Sequence, residues 1–293
     1  MTYQPRASEL EQVDCPLCGS AERRLLHHFP PYDVVRCLSC QVHYLSPRLI
    51  ASAMRRFYAD DGYFDDGEIG YKSYLQQELS LRYSFRHFLT QLRKRGLTGG
   101  SLLEVGCGYG YFLDEARSDF QQRVGIDYSE AGVTRARRLA DRVYLGDVDS
   151  IPAADQFDCI VMISVIEHVY APVEFLKTLR AHLRPTGRLV IATPDVEGIY
   201  QKWLGRSWPA FQVIPEHVTF YNRTTLSLLM DRVGLRGIRP LPYVRAYPAN
   251  LIVDEFALWP ALFRRLGRRN LRFPGYMVAL CGLWDGPEST LKN

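Results

Sequence analysis

Four cysteines, Cys15, Cys18, Cys37 and Cys40, form two C-x-x-C pairs separated by eighteen residues. That spacing lets four thiolates surround one tetrahedral zinc ion. Two disulfides or a redox-active C-x-x-C are the competing accounts; disulfides suit an exported chain, and no export signal is visible here. A closed four-thiolate site has no open coordination position, so its metal would be structural. His27, His28 and His43 lie nearby, but a complete set of cysteines leaves them no vacancy, and they are read as packed or solvated.

A second group of residues suits cofactor binding. In LLEVGCGYGYFL, residues 102–113, an apolar run closes on Glu104 and Val105 and passes into Gly106, Gly108 and Gly110, with Cys107 between them. Alternating glycines permit a tight turn and close backbone approach by a ligand, with a helix starting at about Tyr111. The dinucleotide fingerprint G-x-G-x-x-G needs a glycine at position 111, where Tyr111 stands, which argues against NAD and FAD. A short strand then closes on Asp127, twenty-one residues after Gly106, followed by Tyr128 and by Ser129 as a helix cap. Gly146 and Asp147 precede Val148, and a strongly apolar strand over residues 157–163 runs through Ser164 to Glu167 and His168. Taken alone, Asp127 and Asp147 could be ordinary turn acids.

Two histidines are candidates for proton transfer: His168 in IEHV and His217 in PEHVTFY. An imidazole titrates near neutrality and can take the proton of an attacking hydroxyl. The alternative for each is a structural hydrogen bond that orients a loop or helix start.

With these residues in place, the chain resembles the class I S-adenosylmethionine (SAM)-dependent methyltransferases. The match rests on ExGxGxG at Glu104 to Gly110, the second-strand acid Asp127, and Gly146–Asp147, over roughly residues 97–245. The resemblance implies that Glu104 and the backbone of Gly106, Cys107, Gly108 and Gly110 hold the methionine end of SAM. It assigns Asp127 to the ribose hydroxyls and Asp147 with Val148 to the adenine edge, and Tyr128 and Ser164 are further candidates for cofactor binding. IEHV resembles a motif of ubiquinone-biosynthesis O-methyltransferases, and PEHVTFYNRTTL a segment of enzymes acting on sugars and secondary metabolites. A cysteine-rich start also occurs in deoxysugar C-methyltransferases and in some ribosomal RNA methyltransferases, but the NPPY-type amine motif of the latter is missing.

The resemblance implies an α/β, Rossmann-like class I methyltransferase sheet, mostly parallel with its last strand antiparallel, with a small N-terminal zinc-binding subdomain and a helical lid. The expected division is a zinc knuckle at 1–46, a helical lid and linker at 47–96, and a SAM-binding domain at 97–293. An apolar stripe of Leu75, Leu79, Phe85, Phe88, Leu89 and Leu92 predicts a helix in the lid, and Tyr58, Tyr63, Tyr71 and Tyr74 could cover a bound cofactor or simply pack. A helix over about 173–183 and a strand at 188–194 follow, then an aromatic connection at 195–222, long enough to build a binding site. A capped helix at 222–234, a sixth strand in LRGIRPLPYV, and GYMVALCG as the final antiparallel strand complete the sheet, with 246–293 as a C-terminal extension.

The chain has 293 residues, 47% of them hydrophobic and 23% charged, with a formal net charge of +4. This composition fits a soluble globular enzyme. The mild, scattered positive charge speaks for a small-molecule acceptor over nucleic acid. No run approaches the length of a transmembrane span, and a cytoplasmic location is expected. Arg264, Arg265, Arg268, Arg269 and Arg272, interleaved with apolar residues, leave peripheral membrane contact open. G-x-S-x-G, Walker and H-E-x-x-H motifs are missing, which removes serine hydrolase, nucleotide hydrolase and zinc protease chemistry. A SAM-binding or zinc-ribbon interaction module without turnover is the remaining non-catalytic alternative.

Overall fold

A computed structural model of the chain describes residues 5–58, 74–248 and 270–286. At its centre are seven strands: β1 (Ser101–Val105), β2 (Gln122–Asp127), β3 (Arg142–Leu145), β4 (Phe157–Ile163), β5 (Leu183–Pro194), β6 (Arg236–Pro240) and β7 (Met277–Trp284). They are ordered 6-7-5-4-1-2-3. Strands β1 to β5 pair in parallel, and β7 runs antiparallel between β5 and β6. The strand order reverses between β1 and β4, so the crevice at their carboxyl ends is where an open α/β sheet binds ligands.

Alternation along each strand builds two core layers. Leu102, Val161, Val190, Ala192 and Cys281 face a layer shared with Phe85, Phe88, Leu92 and Phe112. Leu103, Val105, Ile160, Met162 and Ile191 face the other, with Leu176, Leu179, Leu226, Leu229 and Met230. Glu104 therefore belongs on the face occupied by Leu102, under the helix Glu78–Arg93. In that helix the buried apolar positions are Leu81, Phe85, Phe88, Leu89 and Leu92, a spacing of three and four, with Ser80 and Ser84 buried beside them. Leu75 and Leu79 of the predicted stripe are instead exposed, at 44% and 66%. The helix begins only at Glu78, and Leu79 lies about half a turn from the Leu81–Phe85–Phe88 row. Arg82 anchors the helix to the one after the glycine turn, Tyr111–Glu115, through Asp114 at 2.7 Å and Glu115 at 3.0 Å.

The cysteine-rich start forms a sheet of Arg23–Phe29, Tyr32–Cys37 and His43–Leu45. Its fourth strand comes from the distant aromatic connection: Thr219 pairs with Tyr44 and Phe220 with His43. The connection is otherwise built from the short helices Ile199–Leu204 and Pro209–Gln212, packed by the fully buried Trp208 against Phe211 and Tyr276.

The predicted caps are present. Ser129 accepts the Gly132 N–H at 3.0 Å, and Asn222 accepts the Thr225 N–H at 2.8 Å, while Gly234 adopts positive φ after the helix Arg223–Arg232. Of the candidate cover tyrosines, Tyr63 and Tyr71 lie outside the described residues, as do the side chain of Tyr58 and Arg264, Arg265, Arg268 and Arg269. Among the described residues no helix is long and apolar enough to cross a membrane.

Phe88 is completely buried, 4.8 Å centroid to centroid from Tyr243. Phe88→Ala is expected to lower stability by about 3–5 kcal/mol, read as a reduced urea midpoint at unchanged slope.

Candidate active site

The crevice at the ends of β1 and β4 starts with the glycine turn. Gly106 and Cys107 donate their N–H groups to the Ile126 carbonyl at 2.8 and 3.1 Å, which ties the turn to the end of β2. Asp127 completes the fastening: its Oδ2 accepts the Gly108 N–H at 2.7 Å and its Oδ1 the Ser129 N–H at 2.9 Å. Gly106, Gly108 and Gly110 all have positive φ. At Gly110 a Cβ would also lie 3.0 Å from the Ala136 Cα, so this position admits no side chain on two counts. Above the turn, the Tyr74 ring stacks on Tyr111 at 5.6 Å and meets Tyr109 edge-on at 5.0 Å. Its hydroxyl lies 3.0 Å from where a Gly108 Cβ would be.

Two carboxyl groups, Glu104 and Asp127, meet in this crevice. Glu104 is 4% exposed and its Oε2 has no hydrogen-bond partner. Burial, reinforced by the Asp127 charge, pushes its carboxyl well above the usual range, and burial also raises Asp127. Two carboxylates in a poorly solvated crevice call for a cation. Cys107, by contrast, is buried behind the turn, its thiol pushed up by burial, and offers a ligand only its backbone.

The other assigned residues line the same ends of the sheet. Gly146 donates to the Asp127 carbonyl at 2.9 Å, and Asp147 caps the short turn Val148–Ser150 by accepting the Asp149 N–H at 3.2 Å. Val148 is buried and Tyr128 is exposed. Ser164, at the end of β4, is held at φ +56° with its N–H on the Ala192 carbonyl. A non-glycine residue in that region is strained, and such residues cluster at functional sites.

The two histidines, far apart in sequence, meet. His168 and His217 have ring centroids 4.7 Å apart, and with Glu167 they place one potential ligand atom each within 4.8 Å of the others. His217 Nδ1 bonds the Ala210 carbonyl at 2.8 Å, and His168 bonds the Glu216 carbonyl. Burial lowers His217 to about 4, and burial with the neighbouring His217 lowers His168 well below its usual value. Both imidazoles are therefore neutral at pH 7. Glu167 is 1% exposed; its Oε2 accepts from Thr193 Oγ1 at 2.9 Å, its Oε1 has no partner, and burial raises it to about 7. Sequence reasoning passed over Glu167 and Thr193 as site residues. The signal was Glu167 preceding His168 in a one-turn helix, Ile166–His168.

In the N-terminal sheet the four cysteines converge. Cys15 and Cys40 sulfurs are 3.4 Å apart and Cys18 and Cys37 sulfurs 3.5 Å, with all four within 4.8 Å of one another. These distances exceed a disulfide bond of about 2.05 Å. They come close to the separation of about 3.8 Å that zinc–sulfur bonds of about 2.3 Å impose in a tetrahedron. The two turns are alike: Gly19 N–H returns to the Cys15 carbonyl and Gln41 N–H to the Cys37 carbonyl, and both residues have positive φ.

Residues 71–239 match the methyltransferase domain family. The chain belongs to this family. Similarity to a SAM-dependent methyltransferase from Thermotoga maritima, at 21% identity and a TM-score of 0.52 over 72% of this chain and 93% of that one, shows the shared fold. In sequence, the methyltransferase is 32% identical over 152 residues to the tRNA U34 carboxymethyltransferase of Pseudoalteromonas translucida, covering 49% of this chain and 47% of that protein. It is 29% identical over 133 residues to the ubiquinone biosynthesis O-methyltransferase of Bradyrhizobium diazoefficiens, covering 43% and 49%. It thus spans about half the length of these curated relatives. The expected class I SAM-dependent methyltransferase fold is borne out by the family and by the sheet order.

Gly110→Ala in this methyltransferase is expected to lower stability by about 1–3 kcal/mol through backbone strain and the Ala136 contact. Differential scanning calorimetry checks it; an unchanged melting temperature would mean that the turn tolerates a Cβ.

Proposed function

We propose that this enzyme transfers the methyl group of SAM to a hydroxyl of a small-molecule acceptor, a sugar or secondary metabolite. The observation that carries the cofactor half is the buried, unpartnered Glu104 Oε2 beside a second carboxylate under the glycine turn. SAM supplies, when bound, a methyl group on a positively charged sulfur and an α-ammonium, a cationic ligand for an anionic crevice. Glu104 would take the ammonium, and the backbone of Gly106 to Gly110 would approach the methionine end closely. Each Asp127 oxygen retains a lone pair for the ribose hydroxyls, while Asp147, Val148 and Tyr128 flank the adenine side. Ser164 closes the crevice toward β4.

The acceptor would sit at the Glu167, His168 and His217 group, at the end of β4 next to the glycine turn. A neutral imidazole there can receive the hydroxyl proton as the oxygen attacks in line. An oxygen acceptor is supported by the name of the ubiquinone O-methyltransferase relative, and a small one by the scattered surface charge. The tRNA-modifying relative makes RNA the second reading. The four cysteines would hold a structural zinc ion, which fits their donor set and spacing.

Isothermal titration with SAM tests the cofactor half. Binding is expected, and Asp127→Ala should raise Kd at least about tenfold with metal content unchanged; equal affinity would remove Asp127 from the cofactor site. S-adenosylhomocysteine release with hydroxylated sugars and phenols, but not with tRNA, is the expected outcome for the acceptor, and the reverse would install RNA instead. Cys37→Ser should release zinc and melt the N-terminal sheet early, because one lost thiolate opens the site; unchanged metal content by mass spectrometry would defeat the zinc assignment.

A further inference from the structure

Glu167, His168 and His217 carry more organisation than a lone proton acceptor requires. A base needs one nitrogen near the acceptor, yet here a carboxylate and two imidazoles bring one potential ligand atom each within 4.8 Å of the others. Each of the three is steadied from behind: Glu167 Oε2 by the Thr193 hydroxyl at 2.9 Å, His217 Nδ1 by the Ala210 carbonyl at 2.8 Å, and His168 by the Glu216 carbonyl. Outer hydrogen bonds of this kind fix the tautomer and direction of metal-ligating side chains. The independent sign is Glu167 itself. It is 1% exposed, and its Oε1, the oxygen that Thr193 does not use, has no partner. A buried carboxylate oxygen without a donor is costly and asks for a ligand.

We propose that Glu167, His168 and His217 form a binding site for a divalent first-row transition-metal cation, separate from the four-cysteine cluster and open to the acceptor. Two imidazoles and one carboxylate favour such ions and leave coordination positions unfilled. Metal–ligand bonds of about 2.1 Å place neighbouring ligand atoms about 3 Å apart, inside the 4.8 Å that already spans the trio. The site rests on the oxygen acceptor proposed above and replaces the imidazole as the means of activating its hydroxyl. With a cation held there, the imidazoles serve as ligands instead of bases. The acceptor hydroxyl would take an open position, where the cation lowers its pKa and its proton passes to solvent water. The oxygen then bonds to the methyl carbon as the carbon–sulfur bond breaks and its electron pair returns to sulfur.

Cobalt(II) titration of the zinc-loaded full chain, followed by visible absorption, tests the site. Bands of nitrogen- and oxygen-ligated cobalt should rise to one equivalent per chain without the near-ultraviolet charge-transfer band that thiolate ligation would give. Glu167→Gln and His217→Gln should each weaken this binding at least about tenfold, and Thr193→Val should weaken it about tenfold through lost orientation. SAM titration of each variant reports whether the crevice is intact. No cobalt bands in the wild-type chain, or equal binding in all three variants, overturns the proposal. Cobalt binding without SAM binding would instead leave the metal site standing and sink the methyl-transfer reading. If Glu167→Gln or His217→Gln fails to fold, the wild-type and Thr193→Val titrations still decide.

Discussion

The fastening of the glycine turn to the end of β2 by Asp127 is the constraint on which the site depends. One carboxylate spans two backbone amides, Gly108 on the turn and Ser129 at the next helix cap. It thereby sets the turn, the start of the helix Glu130–Ala136 and the separation of β1 from β2 together. Gly110 works from the opposite side, since its close approach to Ala136 seats that same helix against the turn. The backbone amides of the turn are thus preorganised before any ligand arrives, and binding need not order them. Charge follows from this geometry. Placing Asp127 where it can hold the turn also puts it within electrostatic reach of Glu104, and the two together hold the Glu104 proton more tightly than water would.

A second dependence links the two ends of the chain's functional apparatus. Thr219 and Phe220 complete the cysteine-bearing sheet, and His217 stands two residues before Thr219. The Val218 N–H meanwhile donates to the Glu167 carbonyl and the Leu45 N–H to the Val218 carbonyl, so one residue joins the N-terminal sheet to the end of β4. Tyr221, fully buried, lies within electrostatic reach of Glu167 on one side and of Cys15 and Cys40 on the other. The aromatic connection is therefore a bridge between the two cysteine turns and the histidine pair.

Much of this was legible in the sequence because it is local. The order of strands and helices, the helix caps at Ser129 and Asn222, the positive-φ glycines and the cysteine pairs each follow from residue types a few positions apart. The last strand was legible from the apolar run in GYMVALCG, and its antiparallel direction from the resemblance to the methyltransferase fold. What the sequence withheld depends on long-range pairing. No period or motif announces that residues 219–220 add a strand to residues 43–45, and without that pairing His168 and His217 stay separate candidates. The exposure of Leu75 and Leu79 is a smaller case: Leu75 precedes the helix and Leu79 lies on its far side, and only packing fixes that phase. Glu167 stayed outside the candidate site because an acid beside a histidine reads as a partner that orients a loop through hydrogen bonds until its burial is known.

These two dependences explain why a four-cysteine cluster outside the central sheet can still bear on the histidine pair. Cys37 ends the strand Tyr32–Cys37, which pairs with His43–Leu45, which in turn pairs with Thr219–Phe220. Each step is a backbone ladder, stiffer than a side-chain contact, so the direction of the His217 ring is set through two strands from the cysteine turns. The Ala210 carbonyl that holds His217 Nδ1 belongs to a helix packed by Trp208, whose ring is also buried against Phe211. Phe211 in turn meets Phe220 at 5.0 Å. The imidazole is thus fixed twice, by the ladder beneath it and the aromatic cluster beside it, while Glu167 is fixed by Thr193 of β5. Loosening the cysteine turns releases the first restraint only. Its cost should fall on the alignment of His217 more than on the glycine turn, whose restraints from Asp127 and Ile126 lie wholly within the central sheet.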